Sequence, residues 1–426
     1  MAALILVLML LFFATGMPVA FAMAASSLAY MLAQGGLALI SIPQRMLNGA
    51  DNFPLLAIPF FMLAGSLMNT GGVTRRLVDF SSALVGHITG GLAHVVVVAN
   101  MIMAGMSGSA VADATGTGSI LVPSMRQKGY PADFAAAIVG AAATIGPIIP
   151  PSIPMVIFAS IAEVSTARLF VGGVVPGVLM GLYLMLVAYL VARRRGYGRE
   201  RRRTLREVGL AFGHAIPPLF CPVIIMGGIL GGIFTPTEAA VVASVYAFGL
   251  GAWWYRELRW RDLPRILEEV VVRSAVVLFI VAASSLMAWL LALERVPQQL
   301  MSGFLAISTN PWVILAIINV FLLILGMLMD SIPILIILVP VLAPLILKIG
   351  VDPIHFGVVM VLNLMIGLLT PPVGMVMYVV CSLSGVAIRD FVRECWPMIT
   401  ALILVLAMIT FYPPLVVWLP NALLGK

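Results

Sequence analysis

A chain of 426 residues that is 62% hydrophobic and only 10% charged, with a mean hydropathy of +1.13, is excluded from the soluble globular class. Apolar stretches of the roughly 17–25 residues needed to cross a bilayer fill most of it, so the fold class is all-α, polytopic and embedded in lipid. The formal charge of +7 then reads as membrane topology, and no nucleic-acid partner is expected.

Residues 2–14 and 16–40 predict two spans separated by Gly16-Met17-Pro18, with one kinked helix as the alternative, and 53–70 predicts the next. Val19-Ala20-Phe21-Ala22 has the form of a signal cleavage site. However, no Lys or Arg precedes Arg45 and apolar sequence continues past the site, so no cleaved leader is expected. Residues 72–87 form a short amphipathic piece with Val73, Leu77, Phe80 and Leu84 on one face. An interrupted apolar segment at 90–127 precedes a span at 132–163 that Pro147, Pro150, Pro151 and Pro154 must break, and 169–192 is an unbroken span. The second half repeats the plan. Spans at 212–232, 235–255 and 273–293 are followed by an amphipathic piece at 296–308, an interrupted segment at 312–348, a broken span at 354–385 and a final span at 391–419.

That repetition is explicit. Residues 105–176 align without a gap onto 326–397, an offset of 221 residues, and most of the identical positions are helix breakers: Gly105/Gly326, Pro123/Pro344, Gly146/Gly367, Pro150/Pro371, Pro151/Pro372 and Pro176/Pro397. Duplicated breaks in apolar segments point to a transporter's binding site, because irregular backbone at membrane depth must face protein, water or cargo. Charge placement tests the layout. If 193–207 is cytoplasmic, alternation puts 75–76, 126–128, 256–273 and 389–393 on the same side, and only Arg45, Arg168, Arg295, Lys348 and Lys426 fall opposite. The alternation holds only if 90–127 and 312–348 each enter and leave on one side. The expectation is therefore about ten spans plus two re-entrant helical hairpins in an inverted-topology repeat. The first repeat is 1–192 (hairpin 88–127, broken helix 132–163) and the second is 208–426 (hairpin 310–348, broken helix 354–385). They are joined by the basic linker 193–207, which is a positive-inside loop with anionic-lipid binding as the less favoured alternative.

Polar residues cluster at the interruptions. The stretch from Ala104 to Ser119 is almost entirely Gly, Ala, Ser and Thr, which offers hydroxyls and bare carbonyls to a monovalent cation. Close helix packing through small residues is the alternative, but it does not explain Asp113, four residues after Ser109, since a carboxylate at membrane depth costs roughly 2.5–3.5 kcal/mol. Asp330, at the second tip, either caps the return helix alone or both caps it and binds an ion. Gly146-Pro147-Ile148-Ile149-Pro150-Pro151 and Gly367-Leu368-Leu369-Thr370-Pro371-Pro372-Val373-Gly374 free carbonyls for cations, and half-helix N-termini there favour an anion. Thr235-Pro236-Thr237-Glu238 is a capping box and carries no chemistry. Cys221, Cys381 and Cys395 have no metal-like spacing, and His87, His94, His214 and His355 sit in no motif.

Gly105-Met106-Ser107-Gly108-Ser109-Ala110-Val111-Ala112-Asp113, Gly146-Pro147-Ile148-Ile149-Pro150-Pro151-Ser152, Phe234-Thr235-Pro236-Thr237-Glu238-Ala239 and Thr370-Pro371-Pro372-Val373-Gly374 resemble the large, DctM-like membrane subunit of tripartite ATP-independent periplasmic (TRAP) transporters, in the ion transporter superfamily. The similarity runs over essentially the whole chain. It implies an elevator-type carrier in the bacterial inner membrane, driven by a sodium gradient, with sodium as coupling ion and no cofactor. It also implies a small four-helix membrane subunit, a periplasmic substrate-binding protein and a small organic anion as cargo. Because no segment precedes residue 1, the small subunit is expected as a separate chain. The family's sodium sites map onto Ser107, Ser109, Asp113 and Gly146 in one repeat and Asp330, Gly367 and Thr370 in the other. Pro150, Pro151, Pro371, Pro372 and Gly374 are the expected substrate cavity. Residues 88–163 and 310–385 would move as the transport domain against the remaining scaffold. A stand-alone sodium-coupled dicarboxylate or anion carrier is the alternative. A membrane enzyme is disfavoured, because no nucleophile–base pair, metal cluster or nucleotide motif stands out in the sequence.

Overall fold

The computed structural model describes residues 2–36 and 38–425, and every regular element among them is helical. In chain order they are α1 (Ala2–Ala14), α2 (Val19–Gln34), α3 (Ser41–Ala50), a 3-10 turn (Phe53–Leu56) running into α4 (Ala57–Thr70), and α5 (Val73–Val85). Then come α6 (Gly91–Ser107), α7 (Ala110–Gln127), α8 (Ala132–Ala143), α9 (Ile153–Ala162) and α10 (Thr166–Arg195). The second half comprises α11 (Leu205–Leu230), α12 (Pro236–Gly249) with a π-helical turn (Leu250–Trp254), α13 (Leu263–Leu293) and α14 (Val296–Ile307). It continues through α15 (Pro311–Leu328), α16 (Ser331–Lys348), α17 (Pro353–Gly367), α18 (Met375–Ser384), α19 (Ile388–Phe411) and α20 (Pro414–Leu424).

The duplication read from glycines and prolines is a duplication of helices. Shifted by the same offset, α7 falls on α16 residue for residue, and α8 begins where α17 begins. Both interrupted segments are helical hairpins, and both broken spans are pairs of shorter helices. The repeats also interlock. The half-helix after each break packs on the other repeat's hairpin, α9 against α16 and α18 against α7. Around this body lie α10, α19 and α20, whereas α4 pairs with α12, and α2 and α3 pair with α13.

Seven helical stretches are long and apolar enough to cross a membrane: Phe53–Thr70, α10, α11, α13, α15, α16 and α19. Of the remaining expected spans, two are the short helices α1 and α2 and one is α12 extended by its π turn; the others are the broken pairs α8/α9 and α17/α18.

Several boundaries differ from the sequence reading. Residues 2–40 are not one kinked helix: α1 and α2 pack on each other across the turn at Thr15–Pro18, and α2 stops at Gln34. A helix, α3, occupies 41–50, where none was expected. It buries no residue of its own fully and is held by packing on α13. Leu84 is 40% exposed, so the apolar stripe of α5 ends at Phe80 and Ala83. The stretch 391–419 is two helices, because Pro413 and Pro414 remove backbone donors and push Tyr412 out of helical conformation (φ −130°, ψ 79°). Thr235 and Glu238 do form a capping box, with Glu238 N–H donating to Thr235 Oγ1 at 3.3 Å and Thr235 N–H to Glu238 Oε2 at 2.7 Å.

The stretches that charge alternation groups together meet in space. Arg76 pairs with Glu257 at 2.7 Å, Arg195 with Glu394 at 2.8 Å, and Lys128 with Glu200. Among the residues assigned opposite, Arg45 stacks over Trp289 at 4.9 Å and Arg168 donates to Asn421 Oδ1 at 2.5 Å, while Lys426 lies outside the described residues.

Candidate ion and substrate site

The first hairpin turns on two residues. Gly108 takes a left-handed conformation (φ +61°) that a side chain would strain, and Ser109 caps α7 by accepting from Ala112 N–H at 3.4 Å. Just inside the turn, Ser107 at the end of α6 donates its hydroxyl to Asp113 Oδ1 at 2.5 Å. Asp113 is fully buried, and its second oxygen, Oδ2, has no hydrogen-bond partner. That oxygen lies against the backbone of Gly146, where an added methyl group would come within 2.2 Å of it. The carboxylate thus faces the start of the first break, beyond the C-terminus of α8. Ser107, Asp113 and Gly146 are brought together as expected. The break itself is shaped by Ser152, which donates to Pro147 O at 2.5 Å and caps α9 by accepting from Met155 N–H at 3.2 Å.

The second hairpin is built differently. Leu328 and Ile334 stand, by the repeat alignment, where Ser107 and Asp113 stand in the first. Gly367, the counterpart of Gly146, abuts backbone instead of carboxylate: an added methyl group would fall 2.6 Å from Gly326 Cα. A backbone hydrogen bond, Val373 N–H to Met327 O at 2.9 Å, ties this break to the hairpin tip. Asp330 caps α16 by accepting from Ser331 N–H at 2.6 Å, and Thr370 donates to Gly367 O at 3.0 Å.

Both tips and both breaks meet around one cavity of about 70 Å³, lined by Gly108 and Ser109 from the first tip, Pro147 from the first break, Asp330 and Ser331 from the second tip, and Leu368 from the second break. The N-termini of α7, α9 and α16 all open into it. Three helix starts, each with a single N–H capped by a side chain, turn their positive dipole ends to the cavity wall and favour an anion there, while Asp330 and Ser109 add oxygen acceptors at its edge. Pro147 and Pro154 line this cavity, and Pro150, Pro151, Pro371, Pro372 and Gly374, the residues expected at the substrate cavity, do not. Pro150 and Pro151 are buried, Pro371 is half-buried and Pro372 is exposed.

Further buried polar groups escaped the sequence reading. Asn100 in α6 donates to Thr117 Oγ1 in α7 at 3.3 Å, bracing the first hairpin. In the second repeat, Asn363 of α17 donates to Asn319 Oδ1 of α15 at 2.9 Å, and Asn319 donates to Thr410 Oγ1 of α19 at 3.0 Å. An asparagine in an otherwise apolar helix, fully buried at Asn100 and Asn363 and half-buried at Asn319, is the signal that marks all three.

Comparison with known proteins places this geometry. Residues 6–415 match the family described as "Tripartite ATP-independent periplasmic transporter, DctM component". The sialic acid TRAP transporter large permease protein SiaM of Vibrio cholerae is 43% identical over 410 residues, 96% of each chain. The C4-dicarboxylate TRAP transporter large permease protein DctM of Pseudomonas aeruginosa is 42% identical over 381 residues, 89% of each. Among solved structures, the YdaH transporter of Alcanivorax borkumensis, described as having an unusual topology, superimposes with a TM-score of 0.60 over 88% of both chains at 16% identity, a likeness of fold.

Proposed function

The chain belongs to the DctM family, the large permease component of TRAP transporters, and on that premise we propose that it drives uptake of a small organic anion of the carboxylate class with a sodium gradient. It is a multi-pass membrane protein and a permease, not an enzyme. The observation that carries the substrate class is the convergence of three helix N-termini on the cavity between the two tips. The substrates in the names of its relatives, sialic acid and a C4-dicarboxylate, accord with that polarity.

Sodium is a second cargo in this reading. Asp113 Oδ2, buried and unpartnered beside the carbonyls freed at Gly146, supplies one negative charge, with Ser107 and Ser109 hydroxyls close by. An uncompensated carboxylate in this setting is costly, so a monovalent cation is its natural counter-charge. Asp330, Thr370 and the Gly367 backbone are the donors proposed for the second repeat. Because each tip meets the middle of a broken helix, the hairpins are read as re-entrant to about mid-membrane. Residues 88–163 and 310–385 then form the body that moves elevator-fashion, accompanied by α10 and α19, which pack on it. A small four-helix membrane subunit and a periplasmic binding protein complete the transporter in the bacterial inner membrane.

The test is uptake into proteoliposomes holding this chain and both partners. An inward sodium gradient should drive accumulation of the anion, and a sodium ionophore should abolish it. Asp113→Asn, which keeps shape and removes charge, should raise the sodium concentration for half-maximal uptake at least tenfold, on the order of 1.4 kcal/mol. Uptake indifferent to the gradient would sink the coupling. Undiminished uptake without the binding protein would favour a stand-alone carrier of the same fold.

A further inference from the structure

A second and larger cavity, about 630 Å³, lies away from the transport site, at the base of the first hairpin. Its walls are Leu92 and Tyr130 together with Lys128, Arg199, Arg201 and Arg203. The three arginines come from the linker between the repeats, which runs from Tyr197 to Thr204 without helix and turns Arg199, Glu200, Arg201 and Arg203 toward the space, leaving Arg202 outside. Backbone hydrogen bonds tie the linker down on both sides of Arg199: Gly90 N–H donates to Gly198 O at 3.2 Å, and Glu200 N–H to Gly86 O at 3.0 Å.

The two acids of the cavity are already committed. Glu200 accepts from Lys128 Nζ and, at 2.9 Å, from Ser82 Oγ. Burial alone would raise its carboxyl, but Lys128, Ser82 and Arg203 together hold it below the ordinary carboxylate range. Glu207 is the return arm of the α11 capping box, accepting from Thr204 N–H at 2.6 Å. Arg199 and Arg201, by contrast, make no ion pair or side-chain hydrogen bond among the described residues. A walled space with two uncommitted guanidinium groups is built for a tetrahedral oxyanion, which arginine grips with paired N–H donors.

Tyr197 packs on the buried rings of Tyr130 and Phe134, with centroids 4.8 and 5.3 Å apart, which anchors the linker at the cavity wall. One observation sets the source of the anion. Beside Glu207, α11 presents Leu205 (92% exposed), Leu210 and Phe212 outward, apolar surface next to a cationic cavity. We propose that this cavity binds the phosphodiester headgroup of an anionic lipid from the cytoplasmic leaflet, clasping the inter-repeat linker to the base of the first hairpin.

The experiment is thermal unfolding of the purified full chain titrated with phosphatidylglycerol, with phosphatidylcholine or with inorganic phosphate. Phosphatidylglycerol should raise Tm saturably, and phosphatidylcholine should not. The variant R199Q/R201Q/R203Q should bind phosphatidylglycerol on the order of a hundredfold more weakly, about fivefold per basic residue lost. The variant R193Q/R194Q/R202Q removes the same charge outside the cavity, from the last turn of α10 and from the linker, and should keep wild-type affinity. Arg201→Gln alone, at an exposed residue with no partner, should cost about fivefold without threatening the fold. Equal losses in the two triple variants would mean diffuse attraction and overturn the site. A Tm rise given in full by inorganic phosphate, with nothing added by phosphatidylglycerol, would overturn the lipid as its ligand.

Discussion

The two hairpin-and-break units share the same order of helices, with the return helices α7 and α16 matching residue for residue, yet they are held together by different chemistry. In the first, side chains do the joining: Ser107 bonds Asp113, Asp113 presses on Gly146, and Ser152 closes the turn. In the second, backbone does it: Gly326 lies on Gly367, and Val373 N–H reaches Met327 O. Duplication has therefore preserved where the chain breaks and not what fills the break. The lesson is that a symmetric scaffold can hold two unlike sites, one built around a buried charge and one in which the carboxylate, Asp330, has moved to the rim of the shared cavity.

The largest effect that separates the two comes from the paired glycines. Gly367→Ala places a methyl group 2.6–2.7 Å from three backbone atoms of Gly326, none of which can swing aside. It should destabilise by at least about 1–3 kcal/mol, read as loss of Tm and of folded protein after membrane extraction. Gly146→Ala brings its methyl group within 2.2 Å of Asp113 Oδ2, a side-chain atom that can rotate, while the nearest backbone atom, Ala143 O, stays 3.2 Å away. That variant should fold close to normally while sodium dependence of uptake weakens. If both fold equally badly, the contrast between backbone and side-chain joints is wrong.

Next in size are the polar groups of the two tips. Ser107→Ala removes the hydrogen bond to the Asp113 carboxylate and should cost about 1.5–3 kcal/mol of tip stability, together with sodium affinity. Asp330 needs two variants because it also caps α16. Asp330→Ala loses the cap, about 0.5–2 kcal/mol, whereas Asp330→Asn keeps an acceptor for Ser331 N–H and loses only the charge. Reduced sodium dependence at unchanged Tm in Asp330→Asn would assign the charge to transport. Wild-type uptake in both would leave Asp330 a cap alone.

How much of this was legible in the sequence follows from which interactions are local. The interruptions were legible because Gly108, Pro147 and Pro371 act on their own backbone, whatever the tertiary surroundings, but the first tip could be placed only within the small-residue stretch from Ala104 to Ser119. The α19–α20 boundary carried the same signal in Pro413-Pro414, masked by unbroken hydropathy on either side. The helix α3 was not legible: Pro43 and Gly49 lie inside its ten residues, and its short apolar face of Ile42 and Met46 is held because α13 offers a surface to it. The same holds for the contact of Asp113 with Gly146, 33 residues apart, and for the choice of Pro147 over Pro150 as cavity lining. Both depend on how the half-helices cross between repeats, which no spacing records.

The smallest difference is the finest probe of the comparison. Ser152 and Val373 occupy matching positions in the two breaks. Ser152 works through its hydroxyl, capping α9 and holding Pro147 O, while Val373 works through its N–H, which any residue except proline supplies. Ser152→Ala should therefore cost about 1 kcal/mol, the usual worth of a helix cap, and loosen the wall at Pro147. Val373→Ala should leave that joint intact, with a change in Tm no larger than its lost methyl groups account for, since the side chain is only half-buried. Hydrogen exchange at the amides of Met155 and Val373 reads both joints directly: faster exchange at Met155 in Ser152→Ala, and unchanged protection at Val373 in Val373→Ala. The reverse pattern would mean that the second break, too, is held by its side chains, and the distinction between the two repeats would fall.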